Sequence, residues 1–393
     1  MKKSMLQILA AYAGMLLFGI VMISLGTVNT FLSEQFGLTN AQLGSLAALL
    51  PAGILLGSLV FGPFADRFGY KYLLIISTLL VSAGFWMMVA TETLLPVQAA
   101  FFLIGLGGGA INGGTNAMVS DINTENKSSA LSLLGVFYGI GALGMPLLTG
   151  LLMKIWSLAQ IIRFVALFLI IPVIYFLIIP FPPPKHTDKL PVSRLKSFFR
   201  DGILIGLGFI LFFESALEGM ANNWSAAYLT HDQVGLSRTN AVMFLTFLVA
   251  SITAGRLILG WALRKLSPVK VLYICFTLIL FGSIGLQFTG SAILYSAPAV
   301  TAAFSLILLG LGFSAGFPVI LAKVGERYPE LSGSAFSFVL VIALLGNILL
   351  NYLTGILTNS FGLTYYPLML ILSVIIMFGL AIGIFNVQTK KEQ

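Results

Sequence analysis

The stretch FFESALEGMANNWSAAYL, Phe212 to Leu229, closes an apolar run that begins near residue 202 and is long enough to cross a bilayer. It carries two acids, Glu214 and Glu218, and no other apolar run of the chain has a carboxylate near its middle. An ionised acid at the bilayer centre costs about 2.5–3.5 kcal/mol on insertion scales, so an acid kept there points to function. Glu214, Glu218 and Asn222 are spaced i, i+4, i+8 and line one helical face, with Trp224 and Tyr228 further along. Titratable acids, amides and aromatic rings on one membrane helix read as a transport site.

Composition supports a membrane setting for the whole chain. Of 393 residues 58% are hydrophobic and only 9% charged, against about 25% charged in a soluble domain. The net charge of +8 is accounted for by basic residues flanking membrane helices rather than by nucleic acid. The single cysteine, Cys275, sits in an apolar run and has no internal disulfide partner. Met1-Lys2-Lys3 and the apolar residues after it resemble a signal peptide, but no cleavage site and soluble region follow, so this segment reads as the first span.

Apolar runs fall near 8–30, 42–64, 72–91, 97–120, 131–152, 161–180, 202–229, 241–263, 268–288, 297–321, 334–357 and 364–387, which predicts twelve spans. One alternate set of connectors holds seventeen Lys and Arg residues and the other only Lys154, Arg163 and Arg238. The positive-inside rule then places the basic set, both termini and the linker in the cytoplasm. The longest polar stretch, 181–201, opens with Phe181-Pro182-Pro183-Pro184, which cannot extend a helix. It divides the chain into an N-terminal half, 1–180, a cytoplasmic linker, 181–201, and a C-terminal half, 202–393. The halves repeat: FGLT at 36–39 returns as VGLS at 234–237, and GSLVFG at 57–62 as GRLILG at 255–260, both 198 residues on. IGLG at 104–107 returns as LGLG at 309–312. Repeated six-helix halves place substrate near the midplane and work by rocking about it.

The second span ends in GPFADRFGYK, Gly62 to Lys71. This resembles the loop signature of the major facilitator superfamily, and the resemblance in length, spans, linker and repeat covers the whole chain. It implies an all-α membrane protein with twelve transmembrane helices in two pseudo-symmetric six-helix halves. In the second half GWALRKLSPVK keeps the glycine pattern but has Arg264 in place of the acid. The motif reads as a latch: Asp66 meets the N-terminus of a neighbouring helix, whose dipole favours an anion, and Arg67 pairs with Asp121. Plain loop capping by Asp66 is the simpler alternative. GLGGGAINGGTNAMVSD (105–121), LLGVFYGIGALGMPL (133–147), Glu218 six residues before Trp224, and GFPV (316–319) resemble the fucose-permease-like sugar:proton symporters. Asn112 stands where those symporters carry an acid, span one has none, and span eleven reads GNILLN.

The residues themselves suit a polar, uncharged ligand. Asn29, Asn112, Asn116, Asn222, Asn223, Asn347 and Asn351 each offer two donors and an acceptor to hydroxyl groups. Trp224, Tyr228 and Tyr138 offer faces for a sugar ring. The competing reading is helix packing, since asparagines and glycines also join membrane helices; it applies most strongly to GGGAINGG, and Tyr228 reads as an interfacial ring. Glu218 and Glu214 are the candidate proton-coupling acids. Arg256, in span eight, is either a structural partner of Glu214 or an anion site for a carboxylate substrate; with Asp66, Arg67 and Asp121 it completes the candidate gating set. His186 and His231 have no ligand partners in sequence, and no nucleotide, metal or nucleophile motif is present.

The expectation is therefore a secondary active transporter and not an enzyme, with no cofactor or metal. It is most simply a monomeric monosaccharide:proton symporter of a bacterial inner membrane. Its partners are a small solute, a coupling proton and the bilayer. The rivals are an organic-anion carrier using Arg256, a multidrug transporter, and a receptor on the same fold that binds without flux. Topology is directly testable: a cysteine placed at Lys189 is expected to resist impermeant thiol reagents added to intact cells. Efficient labelling from outside would reverse the orientation.

Overall fold

The computed structural model describes residues 2–36, 40–91, 93–123, 125–185, 196–231, 234–289 and 298–392. Among the described residues there is no strand, and twelve helical stretches are long and apolar enough to cross a membrane. The bilayer dictates this: backbone groups in hydrocarbon must be satisfied within their own segment, which a helix does. The helices are α1 (Lys2–Phe36), α2 (Asn40–Phe68), α3 (Tyr70–Ala90), α4 (Leu94–Ile122), α5 (Lys127–Leu152), α6 (Leu158–Phe168) and α7 (Ile170–Ile178). They continue with α8 (Gly202–Thr230), α9 (Arg238–Ala262), α10 (Pro268–Phe288), α11 (Pro298–Gly312), α12 (Gly316–Arg327), α13 (Ser332–Phe361) and α14 (Tyr366–Glu392).

Two spans read as continuous in sequence are broken, and a proline explains each. The sixth span divides at Leu169 into α6 and α7, three residues before Pro172. The tenth divides at 313–315 into α11 and α12, just before Pro318. A proline has no N–H and its ring collides with the carbonyl four residues back, at Phe168 where α6 stops and at Ser314 within the break after α11. Elsewhere the ends are capped by side chains. Asp201 accepts from the backbone N–H groups of Ile203 and Leu204 at the start of α8, and Ser157 and Gln160 form a capping box on α6. Gly69, with φ of 84°, turns α2 directly into α3, a conformation that costs any residue with a Cβ.

The chain divides into two compact units. One comprises Met1–Thr124, Phe137–Leu195 and Gly325–Ser337; the other comprises Glu125–Val136, Lys196–Val324 and Phe338–Gln393. In the first, α4 is the central post, packed on α1, α2 and α3. Its glycine run is packing surface. A Cβ on Gly105 would lie 3.0 Å from the backbone nitrogen of Ile54, and one on Gly57 3.0 Å from that of Ala110. Backbone cannot yield as a side chain can, so these positions hold α2 and α4 at glycine distance. Gly108 faces Val21 of α1 and Gly107 faces Ser77 of α3. In the second unit α11 packs on α9 and α10, and α14 on α8 and α10. Phe276, Phe313 and Tyr366 are fully buried there, as Phe61, Phe85 and Phe101 are in the first.

Gly105→Val is expected to destabilise the protein by about 1–3 kcal/mol or more through overpacking. Gly150→Ala, at a position with nothing within 4 Å, is expected to be neutral. Thermal unfolding in detergent measures both, and an unchanged midpoint for Gly105→Val would contradict the close crossing.

Candidate functional site

Glu214 is completely buried in α8, and neither carboxyl oxygen has a hydrogen-bond partner among the described residues. The carboxyl lies against Gly316, the first residue of α12, where any Cβ would collide with it. The Pro318 break thus places a glycine and a fresh helix N-terminus beside the acid. Close by, a Cβ on Gly255 of α9 would fall 2.9 Å from Ser314 Oγ, and that hydroxyl donates to the Leu311 carbonyl over 2.5 Å. Glu218, one turn further along α8, is only partly buried.

Arg256 is buried in α9; it makes no hydrogen bond to Glu214, but its charge acts on that carboxyl, so the pairing weighed from sequence is electrostatic rather than hydrogen-bonded. Its Nη1 donates to the Gly135 carbonyl of α5 over 3.3 Å, and its side chain lies where a Cβ on Gly135 would be. The glycine in α5 opens a groove that takes the guanidinium, a preference that sequence distance along the spans does not carry.

The amides of the second unit form a ladder between α8 and α13. Asn347 donates to the Ser215 carbonyl over 2.7 Å, in space that Gly219 leaves free. Asn351 donates to the carbonyl (2.9 Å) and side-chain oxygen (3.1 Å) of Asn347, and its own oxygen accepts from Asn223 (3.1 Å) and the Trp224 indole (3.2 Å). Both donors and both lone pairs of Asn351 are therefore used, so it positions Trp224 and leaves ligand contact to others. Asn222 spends one donor on the Glu218 carbonyl (2.9 Å) and keeps the other, with its acceptor, unengaged among the described residues. Tyr228 is buried and donates to the Leu286 carbonyl over 2.8 Å; it is a packing residue rather than a ring for a ligand or an interfacial marker.

In the first unit Asn116 is buried and spends both donors on Asn112, on its carbonyl (2.8 Å) and its side-chain oxygen (3.1 Å). That bond turns the Asn112 oxygen toward Asn116 and leaves its amide nitrogen unengaged among the described residues. Tyr138 is half-buried, tilted against Phe18 at 5.6 Å between centroids. The side chain of Asn29, and His186 and Lys189 in the linker, lie outside the described residues.

Asp66 is buried and accepts from the N–H groups of Gly333 (3.2 Å) and Ser334 (2.8 Å) and from the Ser334 hydroxyl (2.6 Å) at the start of α13. This is a carboxylate set on orphan donors at the positive end of a helix. Arg67 does not pair with Asp121. One residue on from Asp66, it is rotated about 100° around the helix, is exposed, and lies over the Phe68 ring at 5.1 Å. Asp121 instead pairs with Lys185 (2.8 Å) and accepts from Tyr70 (2.5 Å) and Ser332 (2.8 Å). Lys185 also donates to the Pro329 carbonyl (2.7 Å), and its backbone N–H to the Asp66 carbonyl (3.1 Å). Sequence reading treated this lysine as part of a solvated linker; the rigid Pro182–Pro184 run ahead of it is the signal that it is held. Among the described residues no three His, Cys, Asp or Glu side chains group as a metal site.

Comparison with known proteins agrees with this architecture. The family model described as Major Facilitator Superfamily matches residues 11–305. The glucose/mannose transporter GlcP of Bacillus subtilis is 23% identical over 362 residues, covering 88% of this chain and 86% of that protein. The gentisate transporter of Corynebacterium glutamicum is 26% identical over 365 residues, covering 86% and 78%. Among solved structures, the E. coli fucose:proton symporter FucP matches with a TM-score of 0.80 at 16% identity, over 97% of this chain and 99% of that one.

The Asp121 cluster separates the two candidate cations. Lys185→Met is expected to cost about 1.5–3 kcal/mol, the scale of a hydrogen bond to a charged group, because it strips a partly buried carboxylate of its cation. Arg67→Met is expected to leave the unfolding midpoint within error. The reverse order in detergent unfolding would return the latch cation to Arg67.

Proposed function

The chain belongs to the major facilitator superfamily, a multi-pass membrane transporter, and on that premise we propose that it is a monosaccharide:proton symporter working by alternating access. The observation that carries the reading is the Glu214 carboxyl, buried in a membrane helix with no donor for either oxygen. Ionised, it would be a charge with no hydrogen-bond donor in a medium that solvates it poorly; protonated, it is a neutral group that tolerates the site. A carrier needs such an acid. It accepts a proton when solvent reaches it and lets the loaded protein reorient without moving a bare charge through hydrocarbon. Glu218, one turn away and partly exposed, is the relay by which the proton arrives. In the second unit Asn222 and Asn223, with the face of Trp224, offer the hydrogen bonds and ring contact a sugar requires, and Asn347 and Asn351 hold them in place. In the first unit Asn112, held by Asn116, offers an amide donor, and Asn29 and Tyr138 are further candidate ligand groups. Names borne by relatives, glucose/mannose and fucose among them, fit this substrate class.

The protein works, in this reading, as two six-helix halves, 1–180 and 202–393, joined by a cytoplasmic linker at 181–201. It sits in a bacterial inner membrane as a monomer with both termini inside. Asp66, Asp121 and Arg256 gate it, with Lys185 in the place that sequence gave to Arg67. The second reading is an organic-anion carrier. Arg256, a buried cation in a membrane helix, favours it, and so does the likeness to a gentisate transporter.

Proteoliposome uptake tests the proposal. An inward pH gradient is expected to drive accumulation of a hexose but not of gentisate, and accumulation should fall as the outside pH is raised. Glu214→Gln keeps shape and hydrogen bonding but cannot release a proton; it is expected to lose accumulation and retain counterflow exchange. Glu218→Gln is expected to slow both. Full accumulation by Glu214→Gln would remove it as the proton carrier, and gentisate uptake dependent on Arg256 would establish the second reading.

A further inference from the structure

The chain builds the same helix-end contact twice, and the exchange of an acid for a base at the helix end makes the two copies unequal. In the first copy α13 meets α2. Ser337 donates to the carbonyls of Ser58 and Leu59, Gly62 leaves room for the Gly333 backbone, and Asp66 receives Gly333 and Ser334. In the second copy α5 meets α9. Ser132 donates to the Arg256 carbonyl over 2.6 Å, Ser129 donates to the Gly260 carbonyl, and Arg264 Nε donates to Ser129 Oγ over 3.5 Å. The correspondence is residue by residue. Adding 198 to Ser58, Gly62 and Asp66 gives Arg256, Gly260 and Arg264. Adding 205 to SALS at 129–132 gives SAFS at 334–337, the offset that also relates IGLG at 104–107 to LGLG at 309–312. Span counting puts both contacts on the same side of the membrane.

The exchange of Asp66 for Arg264 reverses the chemistry. A carboxylate accepts, so it takes the free N–H groups of a helix N-terminus and is attracted by the positive end of the dipole. A guanidinium has five donors and no acceptor; it cannot take those N–H groups, and its charge has the same sign as the helix end. Asp66 accordingly makes three bonds of 2.6–3.2 Å, whereas Arg264 makes one long contact with a hydroxyl whose own proton is already given to Gly260. Lys185 and Asp121 further fasten the first copy through Ser332, while the second has the Arg256 bond to the Gly135 carbonyl away from the helix end.

We propose that these two contacts form an unequal gate, in which the Asp66 latch holds and the Arg264 position is the built-in weak point that parts first. Arg264 then sets how readily that side opens, while Asp66 sets how far closure is favoured. The inference goes beyond the symport reading and depends on neither the substrate nor the coupling ion, since both latches can be followed in unliganded protein.

Thiol accessibility in purified full-length protein tests it. In a Cys275→Ser background, Ser58→Cys reports on the first latch and Ser128→Cys on the second; both serines are buried. The Ser128→Cys thiol is expected to react with a maleimide roughly tenfold faster than the Ser58→Cys thiol, the scale of one hydrogen bond to a charged group. Arg264→Asp, which restores the acceptor, is expected to slow Ser128→Cys to the rate of Ser58→Cys. Should Arg264→Asp fail to express, Arg264→Gln supplies a neutral acceptor and is expected to slow it in the same direction by less. Asp66→Asn is expected to accelerate Ser58→Cys. Equal rates for the two reporters, or no slowing of Ser128→Cys by either Arg264 variant, would overturn the unequal gate.

Discussion

Hydrocarbon offers no hydrogen bonds, so every polar group in a membrane span must find its partner within the protein or remain at a cost. Most of this chain can be read as the working out of that rule. Helices satisfy their own backbones. Where α13 begins, its free N–H groups are met by Asp66. Where asparagines enter the spans, they pair with one another and with neighbouring carbonyls until, at Asn351, nothing is left over. Arg256 reaches the carbonyl exposed at Gly135. Among the described residues a few buried hydroxyls, a ring nitrogen and a guanidinium nitrogen also lack a hydrogen bond, but Glu214 is the one acid among them: a group able to accept four hydrogen bonds accepts none. The rule is broken at the residue whose chemistry a coupled carrier needs, and local rules yield at functional sites more often than elsewhere.

The irregular backbone is arranged to the same end. Pro318 interrupts the tenth span, and the glycine that opens α12 gives the Glu214 carboxyl its place. Broken membrane helices beside a binding site are a recurrent device of transporters, because half-helix ends present dipoles and free backbone groups to a ligand or ion. The latch residues answer a different need. Asp66 is satisfied by the start of α13, and on the proposed reading this makes closure a state with its own hydrogen bonds. A ligand or proton shifts such an equilibrium by binding one state better than the other.

Much of this was legible in the sequence, and the reason differs by feature. Twelve spans follow from apolar length alone, and Glu214 and Asp66 announce themselves as acids where acids are expensive. Both helix breaks had their signal in Pro172 and Pro318. The second latch had its signal in the SALS and SAFS repeat. What sequence did not carry was direction. Arg67 neighbours Asp66 in the chain, but the helix turns it to the surface, so the cation beside Asp121 comes from Lys185, 64 residues along from Asp121. Seven asparagines look alike as letters; only the facing of α8 and α13 separates the saturated Asn351 from Asn222, which keeps a donor. Glu218 occupied the position that a family resemblance favours, while complete burial of its side chain distinguishes Glu214.

The account turns on the state of one carboxyl group, and infrared difference spectroscopy reads that state directly. At neutral pH, purified protein in lipid is expected to show the carbonyl stretch of a protonated carboxyl in an apolar environment, absent from Glu214→Gln and retained in Glu218→Gln. A wild-type spectrum without that band, or a band that survives in Glu214→Gln, would contradict Glu214 as the seat of the proton.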